Sequence, residues 1–245
     1  MLEWVLILVV ILCISVWYYT QSVSEYSISQ IKEIQISMQL TPIWNEKKPV
    51  VVSEVRPQDI WLANSLKQTK FWGAEPNWAN YELTKQYIPT NANSGRELAW
   101  AELLGISQIQ ADTLLKWFEL SPWLFQVRTE AHIGPEGLRP TYGWATSYAC
   151  TQGTARCILL HNAQKAKLPD GWKGLRWKNA TVAHHPLWIQ VQYIEVLLRP
   201  GTTLLVPPHW IVAIEPADEA EPIWWIRSDV HNPISNVAQR LNERV

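Results

Sequence analysis

The sequence has few phenylalanine, methionine and cysteine residues and almost no net charge. The low cysteine count argues against a disulfide-rich protein, and the low net charge argues against a nucleic-acid-binding protein. Of its 245 residues, 3 are phenylalanine, 2 are methionine and 3 are cysteine. Three cysteines cannot form a disulfide framework, so Cys13, Cys150 and Cys157 are expected to be free thiols. The net charge of −1, from 21 basic and 22 acidic residues, gives no electrostatic basis for binding nucleic acid, which is not expected as a partner.

The short motifs of common catalytic sites are also missing. The chain contains no GxSxG, no P-loop, no CxxC and no HExxH sequence. Tryptophan, in contrast, is abundant, with 16 residues. These large rings predict a rigid aromatic core, with exposed aromatic contact faces as the alternative.

The N-terminal segment Trp4–Tyr19 carries no charge and has aromatic residues at both ends. With Leu2 it approaches the roughly 20 residues that span a bilayer core of about 30 Å. We therefore expect a single-pass transmembrane anchor over residues 1–20, with membrane contact through residues 2–19. A cleaved signal peptide and a buried core helix are the alternatives, and the missing basic n-region argues against the first.

Residues 21–32 are serine-rich and polar and are interpreted as a stalk, which leaves residues 33–245 as one domain. Alternation of apolar and polar residues over Ile34–Leu40 predicts a strand, and the valine run after Lys48-Pro49 predicts another. Helical spacing predicts helices over Ile106–Leu120 and near the C-terminus. Further strands are predicted at Trp123–Val127, Gly143–Leu160, Leu187–Leu198 and in the sequence IWWIRS, with IGPEGLRPTYG as a loop.

The stretch Leu197–Pro216 combines strand and turn signals. Arg199-Pro200-Gly201-Thr202 has the composition of a tight turn in which glycine takes a positive φ. Apolar segments flank this turn and predict a hairpin of Tyr193–Leu198 with Thr203–Val206. Pro207-Pro208 then interrupts ladder pairing before a strand resumes at Ile211.

The sequences PGT, LLVPP and HW within this stretch resemble the cupin-like, Jumonji-type oxygenases, in which a PGD turn leads through an apolar strand into PPxWWH. QGTARCILL similarly resembles the family segment with a glycine, a lysine two residues later and an apolar strand. The resemblance implies a mainly β fold, a double-stranded β-helix or jelly roll with flanking helices. The expected transmembrane helix would precede it.

The resemblance also implies where the family's metal ligands would lie, and other residues stand there. The His-x-Asp pair maps onto Arg139–Gly143, and the last histidine maps onto Val212. The vacated positions are therefore Tyr142, Gly143 and Val212, and Ala155 replaces the family's lysine beside Arg156. No catalytic residue, metal or cofactor is expected on this basis. A nonstandard metal site would have to use the remaining histidines, His132, His184, His185 and His209.

Three functional hypotheses follow. The first is a membrane-anchored, noncatalytic cupin-like domain with a structural or interaction role and protein partners. Its similarity to proteins of large double-stranded DNA viruses suggests a virion component. The alternative is a divergent Fe(II)/2-oxoglutarate-dependent protein hydroxylase. Glycan binding by coplanar, exposed tryptophan rings is the third.

Overall fold

The computed structural model describes residues 2–20, 27–55, 101, 106–180, 185–221 and 223–242. Its helices are α1 (Leu2–Thr20), α2 (Ile36–Asn45), α3 (Ile106–Trp117) and α4 (Pro233–Asn242). Its strands are β1 (Ser29–Lys32), β2 (Val50–Ser53), β3 (Gln126–Ile133), β4 (Glu136–Pro140), β5 (Ala145–Gln152), β6 (Ala155–His161), β7 (Ile194–Leu198), β8 (Thr203–Val206), β9 (Trp210–Pro216) and β10 (Trp224–His231).

The strands form two facing sheets. The larger sheet has the order β1-β2-β8-β5-β10-β3, and the smaller has the order β4-β9-β6-β7. From β3 onward, the chain crosses from one sheet to the other at nearly every connection, which winds the two sheets around a common interior. This topology is the predicted jelly roll, and the mainly β class with flanking helices is confirmed.

Side-chain alternation divides each strand between the interior and the outer faces. Apolar residues from both sheets fill one end of the interior: Tyr148, Cys150, Cys157, Leu159, Leu198, Leu204, Val206, Trp210, Val212, Ile214 and Trp225. Helices α2 and α3 cover the outer face of the larger sheet, where Leu40 and Leu114 pack against Leu205. The segment between β6 and β7 covers the smaller sheet with Leu168 and Trp172.

The strand predicted over Ile34–Leu40 is wrong, because most of this segment belongs to helix α2. Ile36, Leu40 and Trp44 are buried at helical spacing, whereas Ile34 and Met38 are 83% and 80% exposed. Apolar residues four positions apart fit both the period of two of a strand and the period of 3.6 of a helix. In so short a segment, packing against the sheet therefore determines which of the two forms. The large sheet also begins at Ser29, inside the predicted stalk, because β1 pairs in parallel with β2.

The predicted hairpin around Gly201 has the right strands and turn but the wrong pairing. Gly201 has a φ of 86°, and the Thr202 N–H donates to the Arg199 carbonyl at 2.9 Å. However, β7 pairs with β6 in the smaller sheet, and β8 pairs with β2 and β5 in the larger sheet. The turn therefore carries the chain between sheets.

Two further segments differ from their predictions. The loop predicted as IGPEGLRPTYG contains β4, which pairs with β9 through an irregular register. Pro186–Gln190 forms a 3₁₀ helix, so the strand predicted from Leu187 begins only at Ile194. In contrast, the predicted helix at Ile106, the valine strand and the C-terminal helix are confirmed.

Helix α1 covers the segment that was expected to cross a membrane, and it lies against α4. Within the described part of the chain, no helix has the combination of length and apolar character that a membrane crossing requires.

Substitution of Gly201 tests the turn. A Cβ here would lie 3.6 Å from the Val55 carbonyl oxygen, so space is sufficient and only the positive φ opposes a side chain. We expect Gly201→Val to lower the free energy of unfolding by about 1–3 kcal/mol in urea titrations. Gly201→Asn is the matched control and should cost less, because asparagine tolerates this conformation. Equal stability of the valine variant and the wild type would contradict the turn.

Candidate functional site

Val212, mapped onto the family's last metal-binding histidine, is part of the apolar interior. Its side chain is 2% exposed and packs in the cluster that contains Tyr148 and Leu159. Val212 pairs with Leu159 across β9 and β6, while Ile158 pairs with Ala213 and faces the outside of the barrel. The position that maps onto the histidine is therefore a buried, apolar one.

The segment mapped onto the His-x-Asp pair is occupied by backbone contacts. The Thr141 hydroxyl lies 2.9 Å from the Pro207 carbonyl oxygen and accepts the Trp210 N–H at 3.1 Å. A Cβ at Gly143 would lie 2.9 Å from the Val230 carbonyl oxygen, so an aspartate does not fit there without a shift of the backbone. Thr141 ties the end of β4 to the double-proline bend, and Gly143 allows close strand packing.

The remaining histidines do not form a metal site in the described part of the chain. His132 stacks on Trp225 with ring centroids 4.1 Å apart, and His209 lies in the turn before β9 with a φ of 67°. His185 precedes a 3₁₀ helix, and His184 lies outside the described residues. Among the described residues, no three histidine, cysteine, aspartate or glutamate side chains are placed to hold a metal. The described residues at the mapped positions do not fit the iron site of the resembled family.

The end of the interior away from the apolar cluster is a polar cleft of about 810 Å³. It lies between β3 and β10 on one side and β4 on the other, and Tyr142 contributes to its wall. Its charged lining residues are Arg128, Glu130, Arg139, Lys173, Arg227 and Asp229. Four cations against two carboxylates make the cleft attractive to an anion.

Arg227 is the most deeply buried of these charges, at 4% exposure. Its Nη2 atom lies 3.0 Å from Asp229 Oδ2, and the Thr146 hydroxyl donates to Asp229 Oδ1 at 2.7 Å. Two other guanidinium nitrogens, Nε and Nη1, are buried with no hydrogen-bond partner among the described residues. A buried donor without a partner has a substantial free-energy cost. A hydrogen-bond acceptor that reached the Nε and Nη1 atoms of Arg227 would remove this cost.

Glu130 lies among the cations of the cleft. Its Oε2 atom is 3.4 Å from both Arg139 Nη1 and His132 Nε2, and its Oε1 atom is 3.4 Å from Arg128. Burial alone would raise the pKa of Glu130, but the contact with His132 and the charges of Arg139 and Arg227 outweigh burial and hold the pKa at about 2. At 3.4 Å the imidazole contact is long for a hydrogen bond, so the arginine charges are the firmer cause.

The pKa of His231 is lowered mainly by burial. Burial lowers the pKa of its imidazole, and the charges of Arg227 and Arg128 lower it further against the opposing effect of Asp229. The lowered pKa favours the neutral form of this imidazole, which lines the cleft.

The register of β10 explains why these residues face inward. Arg227 pairs with Glu130 on β3 and with Tyr148 on β5, and all three share the interior face. Ala155, at the place of the family's lysine, is buried in the interior, so the adjacent Arg156 points to the outer face, where it lies 3.9 Å from Glu195. Arg156 cannot replace that lysine.

The sequence interpretation missed Arg227, Asp229 and Glu130 as functional candidates. Two signals were present. β3 has polar residues at every second position, Gln126, Arg128, Glu130 and His132, and charges interrupt the apolar last strand at Arg227 and Asp229. Polar residues at every second position of a strand indicate a polar face, and charges within an otherwise apolar strand indicate that such a face lines the interior.

The aromatic cluster around Trp177, in the described part of the chain, does not have coplanar rings. Trp177 packs against Trp188 at 49° between ring planes and against Tyr193 at 63°. This cluster covers the smaller sheet instead.

The acid sensitivity of the protein tests the Glu130 cluster. A carboxyl group with a folded-state pKa of about 2 and an ordinary value of 4.5 stabilises the fold above pH 4.5 and loses that contribution as the pH falls towards 2. We expect Glu130→Gln to remove roughly 1–3 kcal/mol of this pH dependence, measured by urea unfolding from pH 6 to pH 2. Glu46→Gln, with a side chain 60% exposed, is the control and should leave the profile unchanged. A Glu130→Gln profile parallel to the wild type would contradict the assignment.

Comparisons with known proteins give a fold-level result. No family model matches the sequence, and no curated protein matches it. The solved structure of SnoN, a non-heme alpha-ketoglutarate-dependent epimerase from nogalamycin biosynthesis, is 10% identical with a TM-score of 0.45, covering 81% of this chain and 84% of its own. SnoK, a non-heme alpha-ketoglutarate-dependent carbocyclase from the same biosynthesis, is 9% identical with a TM-score of 0.47, covering 82% and 84%.

These neighbours correct one expectation. Both are enzymes, which contradicts the prediction that this chain is not an enzyme. At 9–10% identity the likeness concerns the fold alone, and it assigns neither a reaction nor a substrate.

Proposed function

We propose that the chain binds a small carboxylate ligand in the polar cleft, in the manner of a substrate or cosubstrate site. The observation that carries this proposal is Arg227, a buried guanidinium with two nitrogens that lack partners among the described residues. A carboxylate offers two oxygens in the planar geometry that a guanidinium recognises.

The charges around Arg227 support an anion over a neutral ligand. Asp229 engages one guanidinium nitrogen, while Arg139 lines the same cleft and contacts Glu136 at 2.9 Å and Glu130 at 3.4 Å. Lys173 adds a fourth cation on the segment that covers β4. An incoming carboxylate would satisfy the donors of Arg227 and complement the excess positive charge.

The resemblance to the Jumonji-type oxygenases suggests 2-oxoglutarate as the first ligand to test, since that family binds its carboxylate through a basic residue. In this chain Ala155 removes the basic residue on β6, and Arg227 on β10 would take that role from the facing sheet. The Fe(II)-dependent protein hydroxylase remains the alternative. Succinate formation from 2-oxoglutarate with added Fe(II) would favour it and would require metal ligands outside the described residues.

Binding of 2-oxoglutarate and succinate, measured by calorimetry in the presence of a chelator, tests the proposal. We expect the wild type to bind at least one of them. Arg227→Lys should bind it at least about tenfold more weakly, because lysine keeps the positive charge but lacks the planar, two-point hydrogen-bonding geometry of the guanidinium. Lys165→Gln, on the segment after β6, is the control for loss of a surface charge. Thermal melts show whether each variant is folded. A folded Arg227→Lys variant with wild-type affinity would refute the site.

We also propose that residues 2–19 attach the chain to a membrane. The side chains of Trp4 and Trp17 are 72% and 62% exposed, and apolar residues such as Leu8 and Ile11 are exposed between them. Exposed apolar side chains of this kind are unfavourable in water, and contact with lipid would cover them. A virion location stays a prediction, as do protein partners.

Cell fractionation tests this attachment. We expect the full chain to sediment with membranes and to resist alkaline carbonate, and a chain that starts at Ser27, just before β1, to be found in the soluble fraction. Recovery of the intact chain from the soluble fraction would contradict membrane attachment.

A further inference from the structure

One end of the barrel carries helix α4 and an exposed turn. β10 ends at His231, which pairs with Gln126 at the start of β3, so the element after β10 and the turn before β3 lie at the same end. Helix α4 follows β10 there, and the turn of residues 121–125 precedes β3. The turn and α4 together are named the α4 end.

The turn exposes two adjacent apolar side chains. Its backbone is fixed by the Leu124 and Phe125 N–H groups, which donate to the Ser121 carbonyl at 3.0 and 3.1 Å. Phe125 packs against Trp144, with ring centroids 5.4 Å apart. In contrast, Trp123 is 88% exposed and Leu124 is 47% exposed. A single exposed apolar residue is ordinary, but an anchored turn that directs a tryptophan and a leucine outward is a candidate contact surface.

Helix α1 meets the barrel at the α4 end, because it lies against α4. Ser15 and Val16 are half-buried, whereas residues 6–14 are all exposed. This difference places the contact with α4 near the C-terminal end of α1. If lipid covers the exposed apolar side chains of α1, as the proposed attachment requires, α4 and the neighbouring turn lie next to that lipid.

The α4 end and its flanking residues carry an excess of positive charge. The charged residues from 116 to 128 and within α4 are Lys116, Glu119, Arg128 and Arg240, and all four are exposed. Three cations against one carboxylate favour contact with a negatively charged surface, such as a bilayer with anionic lipids. Tryptophan suits the headgroup layer of a bilayer, because its ring is apolar and its indole N–H is polar.

We propose that the α4 end rests on a bilayer that contains anionic lipid, with Trp123 and Leu124 in the headgroup layer. This inference rests on the proposed attachment through residues 2–19, and it assigns a second contact that orients the domain. Two apolar side chains and a net excess of two positive charges bind weakly alone, so α1 supplies the affinity and the α4 end supplies the orientation. Gln126 and Asn236 line the polar cleft and are exposed at this end, so the cleft lies beside the headgroups.

Quenching of a cysteine-linked fluorophore by nitroxide lipids tests the inference. The full chain is reconstituted in vesicles of phosphatidylcholine and phosphatidylserine, with the nitroxide on either the headgroup or the acyl chain. One sample is labelled at the native Cys13 in α1. Two others are labelled after Trp123→Cys or Ala220→Cys in a Cys13→Ala background. Cys150 and Cys157 are buried, and burial raises the pKa of both thiols, so they do not react with the label.

Ala220 is the matched control position, because it is exposed in the turn before β10, at the opposite end of that strand from α4. The eight residues of β10 separate the two ends by roughly 25 Å, at about 3.3 Å per residue. Trp123 and Ala220 are both exposed, so neither substitution removes a core contact.

We expect the acyl-chain nitroxide to quench the label at position 13. The headgroup nitroxide should quench the label at position 123 at least about twofold more strongly than the label at position 220. In phosphatidylcholine alone this difference should shrink, and an unchanged difference would overturn the role of anionic lipid. Equal quenching at positions 123 and 220, with position 13 quenched, would overturn the inference and leave the membrane attachment standing. Absence of quenching at position 13 would overturn both.

Discussion

The buried charge of Arg227 is the constraint on which the polar end of this barrel depends. A guanidinium at 4% exposure is tolerated only with a counter-charge and hydrogen bonds, which Asp229 supplies at 3.0 Å. Asp229 is held in turn by Thr146 at 2.7 Å. The same positive field keeps Glu130 ionised, with a pKa of about 2. Removal of Arg227 would leave Asp229 without its counter-charge, and removal of Thr146 would take away one hydrogen-bond donor to Asp229.

The same strands build the core and the cleft, which keeps the cleft rigid. On β10, Trp225 packs in the apolar cluster and Arg227, two residues later, faces the polar end. β3 likewise contributes to both ends of the interior, because His132 stacks on Trp225 while Arg128 lines the cleft. The positions of the charged groups are thus determined by strands whose register is set by hydrophobic packing.

The positions that hold a metal in the resembled family have become part of the packing here. Val212 fills the apolar interior, Thr141 binds the double-proline bend, and Gly143 leaves no room for a side chain beside Val230. Each of these contacts stabilises the fold in a way that a metal ligand would not. Three of the four cations that line the cleft are arginines, whose planar guanidinium groups can pair with a carboxylate through two atoms.

Local patterns in the sequence by themselves determined the turn at Gly201, helix α3 and most strands from β5 onward, because turn chemistry and apolar periodicity act over a few residues. The resemblance also led to the mainly β, jelly-roll fold. Only the tertiary structure decided that β7 and β8 join different sheets, that Ile36 and Leu40 lie on a helix, and that Arg227 faces inward beside Glu130. Strand pairing depends on the burial of each strand face against residues that are distant in the sequence. A local pattern therefore cannot predict it.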